Sequence, residues 1–379
     1  MMDCAIRAAS GSAPRWRGIP VSLPLILIAA TAMTSINSGV AATTRPVRGE
    51  LAFVSPVDGS LQIHVVTADG SGRRRLTSPP GQSAIPAWSP DGRRIAFIKS
   101  RNGDTQIYVM NDAGTSQRRL TAPPGTSTFP AWSPDGRWIT FVSSREGGDP
   151  QIHVMSVEGT SQRRLTGPPG RSTVPVWSPD GRHIAFVSTR DRGVPDLYVM
   201  NADGTGRRSL TAPAAYVSNP FGKGEKHLST EGGVLLRPGV LHPVWLPDGQ
   251  RIAYVSRVGR AEQEISVVSF DGSARARVTT GYAPAWSPDG SRMAFVVARV
   301  GDAQIYVMKT SGGELTRLTP FGINLLPAWS PDGQFIAFLG IRNEGLGVYV
   351  MRRDGQGQRR LANAAGDLST LPILSWRPR

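Results

Sequence analysis

The chain has 379 residues, of which 39% are hydrophobic and 19% charged, and it contains 43 glycines and 31 prolines. So many turn-forming residues indicate short strands joined by turns and argue against an all-helical protein. The net charge of +15 comes almost wholly from arginines spread evenly along the chain, so no nucleic-acid partner is predicted.

The first 42 residues have the pattern of a signal peptide. Basic residues, an apolar stretch and small residues at a cleavage point follow one another, at Arg7, Arg15, Arg17, 21–33 and 40–42. We therefore predict a periplasmic or secreted protein whose mature chain begins at Thr43. An uncleaved N-terminal anchor is the alternative and the only predicted contact with a membrane. Cys4 lies before the apolar stretch, so neither a lipid anchor nor a mature disulfide is expected.

One pattern recurs from Leu51 onward. It contains Trp-Ser-Pro-Asp-Gly, a strand such as Ile-Ala-Phe-Val, a polar loop, a strand such as Ile-Tyr-Val-Met, an Asp-Gly turn and Arg-Arg-Leu-Thr. Seven copies are marked by Trp88, Trp132, Trp177, Trp245, Trp286, Trp329 and Trp376. A period in the forties fits propeller blades or helical pairs, and the β-branched and aromatic strands favour blades.

The second copy predicts how one blade is built. Its four strands are expected at Ile85–Ser89, Arg94–Lys99, Gln106–Met110 and Gln117–Thr121. Asp91 and Gly92 fit a tight turn, because glycine tolerates positive φ. The second strand has no polar face, so both of its faces must be covered, as they are when blades stack.

The two ends of the repeat region are complementary. The first copy lacks its first strand, whereas Ile373–Pro378 is a first strand with nothing after it. Together they would complete one blade and remove exposed strand edges. The predicted fold is an all-β, seven-bladed β-propeller over residues 43–379, closed by pairing of its terminal strands; six blades is the alternative.

The Trp-Ser-Pro-Asp-Gly units and Arg118-Arg119-Leu120-Thr121 resemble the repeats of the TolB-like propeller family. The resemblance covers the chain from about residue 50 and implies the fold far more specifically than a function. TolB carries an α/β domain before a six-bladed propeller, whereas the propeller here is expected directly after the leader. Prolyl oligopeptidases and oligogalacturonate lyase have similar repeats, so a carbohydrate- or peptide-acting hydrolase or lyase is the alternative function.

Sequence motifs for catalysis are lacking. The chain has no Gly-x-Ser-x-Gly elbow, no phosphate-binding glycine loop and no His-Glu-x-x-His, so no catalytic residue, metal or cofactor is predicted. His64 and His153 take positions that tyrosines occupy in other copies. Only His242, before Pro243, is placed where the resemblance to the lyase implies an axial ligand, and one ligand makes no metal site.

Two features are candidate binding elements. An arginine recurs where the loop between the second and third strands begins, and these would ring one mouth of the propeller: Arg101, Arg145, Arg190, Arg257, Arg299 and Arg342. The alternative is that each arginine pairs with a nearby acid. The second element is a long inserted connector at 212–244, which carries Phe221, Lys223 and Lys226.

These features predict a non-catalytic, monomeric envelope protein. We expect its loop face to bind a protein or an acidic glycan in the bacterial periplasm, through the arginine ring, the long connector and His242. On the opposite face, arginine pairs such as Arg118-Arg119 are expected to join neighbouring blades.

Overall fold

The computed structural model describes residues 49–191, 193–211, 240–258, 262–299, 301–364 and 374–378. This part of the chain forms 28 β-strands. None of it is a helix with the length and apolar character needed to span a membrane. The predicted signal peptide and most of the inserted connector lie outside the described residues.

The strands are short and follow the repeat. In chain order they are β1 (Glu50–Val57), β2 (Ser60–Thr67), β3 (Arg74–Arg75), β4 (Gln82–Trp88), β5 (Arg94–Arg101), β6 (Asp104–Asn111), β7 (Arg118–Arg119), β8 (Ser127–Trp132), β9 (Trp138–Ser143), β10 (Gln151–Ser156), β11 (Arg163–Arg164), β12 (Ser172–Trp177), β13 (His183–Ser188), β14 (Asp196–Asn201), β15 (Arg208–Ser209), β16 (Val240–Trp245), β17 (Arg251–Val258), β18 (Glu262–Ser269), β19 (Arg275–Thr280), β20 (Tyr282–Trp286), β21 (Arg292–Arg299), β22 (Asp302–Lys309), β23 (Thr316–Arg317), β24 (Ile323–Trp329), β25 (Phe335–Arg342), β26 (Gly345–Arg352), β27 (Arg359–Asn363) and β28 (Ser375–Trp376).

Strand pairing groups the described strands by four. Unit 1 contains β28, β1, β2 and β3 in that order, and units 2 to 5 contain β4–β7, β8–β11, β12–β15 and β16–β19. Unit 6 contains β20–β23 and unit 7 contains β24–β27, and a parallel bridge from Ala303 to Ile323 joins these two into one eight-stranded sheet. Four-stranded antiparallel sheets of this kind are typical of propeller blades.

The first and last described strands belong to the same sheet. β28 pairs antiparallel with β1, with Leu51 opposite Trp376 and Ala52 opposite Ser375. β28 is thus the fourth strand of the sheet that contains β1, β2 and β3. It also packs onto the preceding unit, because the Trp376 indole N–H donates to the carbonyl oxygen of Ala328 at 3.0 Å.

The hydrophobic core lies between successive units rather than inside any one of them. Between units 2 and 3, Ile107 and Leu120 contact Trp132 and Phe141, and each of these side chains is buried. A single cluster continues from units 6 and 7 to Leu51 of unit 1. The apolar second strands therefore have both faces covered, as their lack of alternation predicts.

The outer strand of unit 2 is shorter than the sequence predicts. β7 covers Arg118–Arg119 rather than Gln117–Thr121. Leu120 N still donates to Ile107 O at 2.8 Å, but the Ile107 N–H donates to the Thr121 hydroxyl at 2.9 Å. A side-chain oxygen takes the place of the next backbone acceptor, so the chain leaves the ladder there.

Candidate functional site

The candidate site is the edge of the sheets where the loops between second and third strands meet the connectors between units, here called the loop face. The directions of the strands bring these segments to one edge. The fourth strand of a unit runs antiparallel to the third, so it ends at the edge where the third strand begins. The connector therefore starts beside the loop between the second and third strands. Side chains of the third strands hold the connectors in place. The Gln106 amide donates to Gly125 O at 2.9 Å, and the Gln304 amide donates to Gly322 O at 2.8 Å.

Three of the candidate arginines fold back onto their own units. The Arg145 guanidinium lies 5.2 Å from the Phe141 ring centroid and donates to Gln162 Oε1. Arg342 donates to Asn324 Oδ1 at 2.7 Å. Arg190 has the acidic partner that the alternative expected, with 3.8 Å between its Nε and Asp191 Oδ1.

Burial affects the pKa of two of these arginines. It lowers the pKa of Arg145, and the neighbouring Glu146 carboxylate opposes that effect. Burial likewise lowers the pKa of Arg342. Both guanidiniums stay protonated at neutral pH, because an arginine pKa begins far above that range. They therefore contribute positive charge that is partly shielded by the sheet.

Arg101 and Arg299 are exposed at the ends of β5 and β21. Neither forms an ion pair with any residue in the described ranges. They are therefore open to a partner, in contrast to the three arginines that contact their own sheets. Because the five arginines with described side chains are not equivalent, any binding surface is uneven around the loop face.

The side chains of the remaining candidates lie outside the described part of the chain. β16 includes His242 and β17 includes Arg257, but the side chains of both lie outside the described part, as do Phe221, Lys223 and Lys226. Their proposed roles stay predictions.

An exposed aromatic residue on the loop face was missed by the sequence reasoning. Phe321 is 62% exposed, and the Arg342 guanidinium lies 4.8 Å from its ring centroid. A sequence signal was present, since Phe321 precedes Gly322 where other connectors have Pro-Pro-Gly, as at Pro123–Gly125. An exposed aromatic ring beside a guanidinium is a common anchor in binding sites.

The described histidines pack as strand residues. His64 stacks on Phe53 with 5.6 Å between ring centroids, and His153 stacks on Phe141 at 5.4 Å. Burial, helped by Arg73 and Arg75, lowers the pKa of His64 to about 4, so its ring is neutral at pH 7. Within the described ranges, no three His, Cys, Asp or Glu side chains come together in a group that could hold a metal ion.

The arginine pairs on the opposite edge reach the next unit. Arg118 donates to Glu158 O and forms a 2.7 Å ion pair with the Glu158 carboxylate. Arg163 donates to Asp203 O at 2.7 Å. Arg118 and Arg163, each the first arginine of its pair, therefore join neighbouring units, and both donate to a backbone carbonyl.

Comparison with known proteins identifies the repeats. The family model described as TolB beta propeller domain matches residues 31–166, 124–228 and 234–377. No curated protein sequence matches the chain at a significant level.

Several solved structures share the fold. TolB from Acinetobacter baumannii is 16% identical with a TM-score of 0.52, over 88% of this chain and 84% of that chain. Oligogalacturonate lyase from Vibrio parahaemolyticus is 15% identical with a TM-score of 0.60, over 80% of this chain and 86% of that chain. A Mycobacterium tuberculosis puromycin-hydrolyzing peptidase is 16% identical with a TM-score of 0.62, over 90% of this chain and 55% of that chain. Identities this low indicate a common fold alone.

Proposed function

The chain belongs to the TolB beta-propeller family, and from that premise we propose that it is a non-catalytic, exported, seven-bladed propeller that binds an anionic partner in the bacterial envelope. The partner is a protein or an acidic glycan. The loop face is the binding surface, and the ring is closed by the sheet that contains β28 and β1.

The observation that carries this proposal is the combination of free cations and an exposed aromatic ring on one edge. Arg101 and Arg299 are exposed without ion pairs to described residues, and Phe321 presents its ring beside Arg342. Guanidinium groups bind carboxylates or phosphates, and the aromatic face contacts a sugar ring or an apolar side chain. The net charge of +15 favours approach of an acidic partner.

The test compares two variants of the full chain. Arg101→Ser, Arg299→Ser and Phe321→Ala together remove the proposed contacts. Arg137→Ser with Arg353→Ser removes two exposed arginines from the turns on the opposite edge. Each immobilised protein is exposed to solubilised envelope and, separately, to polygalacturonate as an acidic glycan.

We expect the loop-face variant to lose about tenfold or more in affinity for the captured partner, while the control keeps it. Equal loss in both variants would mean that general charge attraction explains the binding. Retention by the loop-face variant would overturn the assignment of the site. Cleavage of polygalacturonate or of a peptide would favour the alternative function, a hydrolase or lyase.

A further inference from the structure

Neighbouring units are joined at the turn edge by an arginine link. The first residue of the outer strand lies opposite a valine of the third strand and donates to a turn carbonyl of the next unit. The links are Arg74 to Asp112 O, Arg118 to Glu158 O, Arg163 to Asp203 O, Arg208 to Phe270 O and Arg359 to Ala68 O. Such hydrogen bonds hold the turn of one unit against the edge of its neighbour.

Two further contacts accompany the arginine link. A glutamine before the outer strand donates to a leucine carbonyl of the preceding unit: Gln117 to Leu76 O, Gln162 to Leu120 O and Gln358 to Leu318 O. A turn glycine also lies next to a leucine of the preceding unit, two positions after the first residue of its outer strand, and a Cβ added to that glycine would contact this leucine. This closeness is seen for Gly70, Gly114, Gly159, Gly204, Gly272 and Gly355, against Leu361, Leu76, Leu120, Leu165, Leu210 and Leu318.

The junction between units 5 and 6 lacks all three contacts. Ala276 lies opposite Val267, at the position of the linking arginine in five units. Unit 6 also lacks that arginine, with Thr316 opposite Val307, but its junction with unit 7 keeps the glutamine and glycine contacts. Leu315 takes the position of the linking glutamine and is 59% exposed. A Cβ added to Gly312 would meet nothing within 4 Å. The turn of unit 6 therefore stands away from the outer strand of unit 5.

A buried polar atom is left without a partner at the same junction. Five of the repeat tryptophans donate their indole N–H to a carbonyl of the preceding unit: Trp132, Trp177, Trp245, Trp329 and Trp376. Trp286 is 3% exposed, and its Nε1 atom has no acceptor among the described residues. Trp88 shares this feature, but the Arg377 guanidinium covers its ring at 5.1 Å. A buried donor of this kind is costly unless something accepts its hydrogen bond.

The result is a cleft of about 370 Å³ between β19 and the turn of unit 6. Its apolar wall includes Val278, Trp286, Met293 and Met308. Val267 also lines it and is only partly buried, although the matching valines of other units, such as Val109, are buried. Four cations line the cleft, namely Arg251, Arg275, Arg277 and Lys309. Three of them already pair with carboxylates of the chain, Arg251 with Asp248, Arg277 with Glu264 and Lys309 with Glu314.

We propose that this cleft, here called the open seam, binds an extended acidic peptide of a partner protein through one large apolar side chain. The side chain would contact Met293 and Met308, in a position comparable to that of the leucine at other junctions.

The properties of β19 favour a peptide over other occupants. β19 is the edge strand of its sheet, and its six residues exceed the two of most outer strands in the described part. An edge strand offers backbone groups to an added strand. Arg275 is exposed and makes no ion pair with a described residue, so an acidic residue beside the apolar anchor complements its guanidinium.

The test restores the missing link. Ala276→Arg places an arginine where other units have one, and Ala276→Ser is the matched control. The probe is a fluorescein-labelled extended peptide with a leucine between glutamates, beside an otherwise identical peptide with alanine in place of the leucine. Binding is followed by anisotropy and by the ¹³C-methyl NMR signals of the methionines.

We expect the leucine peptide to shift the methyl signals of Met293 and Met308 and leave that of Met155, at another junction, unchanged. Ala276→Arg should weaken binding by about tenfold, while Ala276→Ser and the wild type bind alike. If Ala276→Arg fails to fold, Val278→Trp fills the seam from β19 and is expected to have the same effect.

Three results would overturn the proposal. The first is equal binding by the wild type and the restored variant, and the second is binding that does not depend on the leucine. The third is a different occupant: shifts of the two methionines by octanoate but not by the peptide, or by raising the concentration of the chain alone, would assign the seam to a small amphiphile or to a second copy.

Discussion

At the residue scale, the repeat places an aromatic pair across the second and third strands of most units. Phe97 lies opposite Tyr108 with 5.7 Å between ring centroids, and Phe53 lies opposite His64 at 5.6 Å. Such pairs stabilise adjacent strands beyond simple burial. A histidine can fill the tyrosine position only while it is neutral, since a charged ring would be desolvated there.

This constraint predicts a pH-dependent effect of His64→Tyr. The pKa of His64 is about 4 in the fold and 6.5 in its absence, so the unfolded chain takes up the proton first as the pH falls. His64 therefore lowers the free energy of unfolding progressively below pH 6.5, until the pH passes the folded value. The stability advantage of His64→Tyr should grow by about 2 kcal/mol between about pH 7.5 and about pH 4.5.

Urea denaturation at the two pH values measures this difference. Tyr108→Phe is the matched control, because it changes the same position in unit 2 without a group that titrates in this range. An advantage of His64→Tyr that is the same at both pH values would show that His64 titrates as it does in the unfolded chain.

At the scale of the element, the Ser-Pro-Asp-Gly turn is specified by local hydrogen bonds. The Ser133 hydroxyl donates to Asp135 Oδ1, Arg137 N donates to the same oxygen at 3.0 Å, and Trp138 N donates to the Ser133 hydroxyl at 2.9 Å. Gly136 has a φ of +71°, where a side chain is strained. The turn was therefore predictable from its residues alone.

Gly136→Ala isolates this backbone requirement. A Cβ at Gly136 would meet only Pro90 Cδ, at 3.8 Å, so steric contact with other residues adds little. We expect a loss of about 1 kcal/mol in the free energy of unfolding, because the left-handed conformation is unfavourable for alanine. Denaturant titration gives the value, with Gly167→Ala, whose φ lies outside the left-handed region, as the control. Equal effects of the two substitutions would contradict the explanation.

At the scale of the whole molecule, the last described residues contact the first unit. Trp376 is 6% exposed, and it belongs to a cluster that includes residues of units 6, 7 and 1. Arg377 adds ion pairs to Glu50 at 2.7 Å and to Asp112 at 2.8 Å. These contacts link the two ends of the described chain.

Trp376→Ala should therefore weaken both ends together. We expect a loss of about 3 kcal/mol in the free energy of unfolding, the usual cost of a large cavity. Hydrogen exchange should become faster in β1 and β2 as well as in β24 and β25. Trp132→Ala, which removes the same kind of contact between units 2 and 3, should instead affect β4–β9. Faster exchange confined to β28 would mean that the end strand contributes nothing to its neighbours.

The sequence by itself determined the all-β fold class, the repeat and the turns, because these depend on local residue types at a fixed period. Local pattern could not determine where the outer strands end, since the Thr121 hydroxyl competes with the backbone there. It also could not tell that Arg145 and Arg342 fold back onto their units while Arg101 and Arg299 stay exposed. Ala276, Gly312 and Leu315 look like ordinary variations within one repeat, and only the packing of unit 5 against unit 6 decides that together they leave a cleft. Contacts between units depend on residues about forty positions apart, and such contacts arise only in the folded chain.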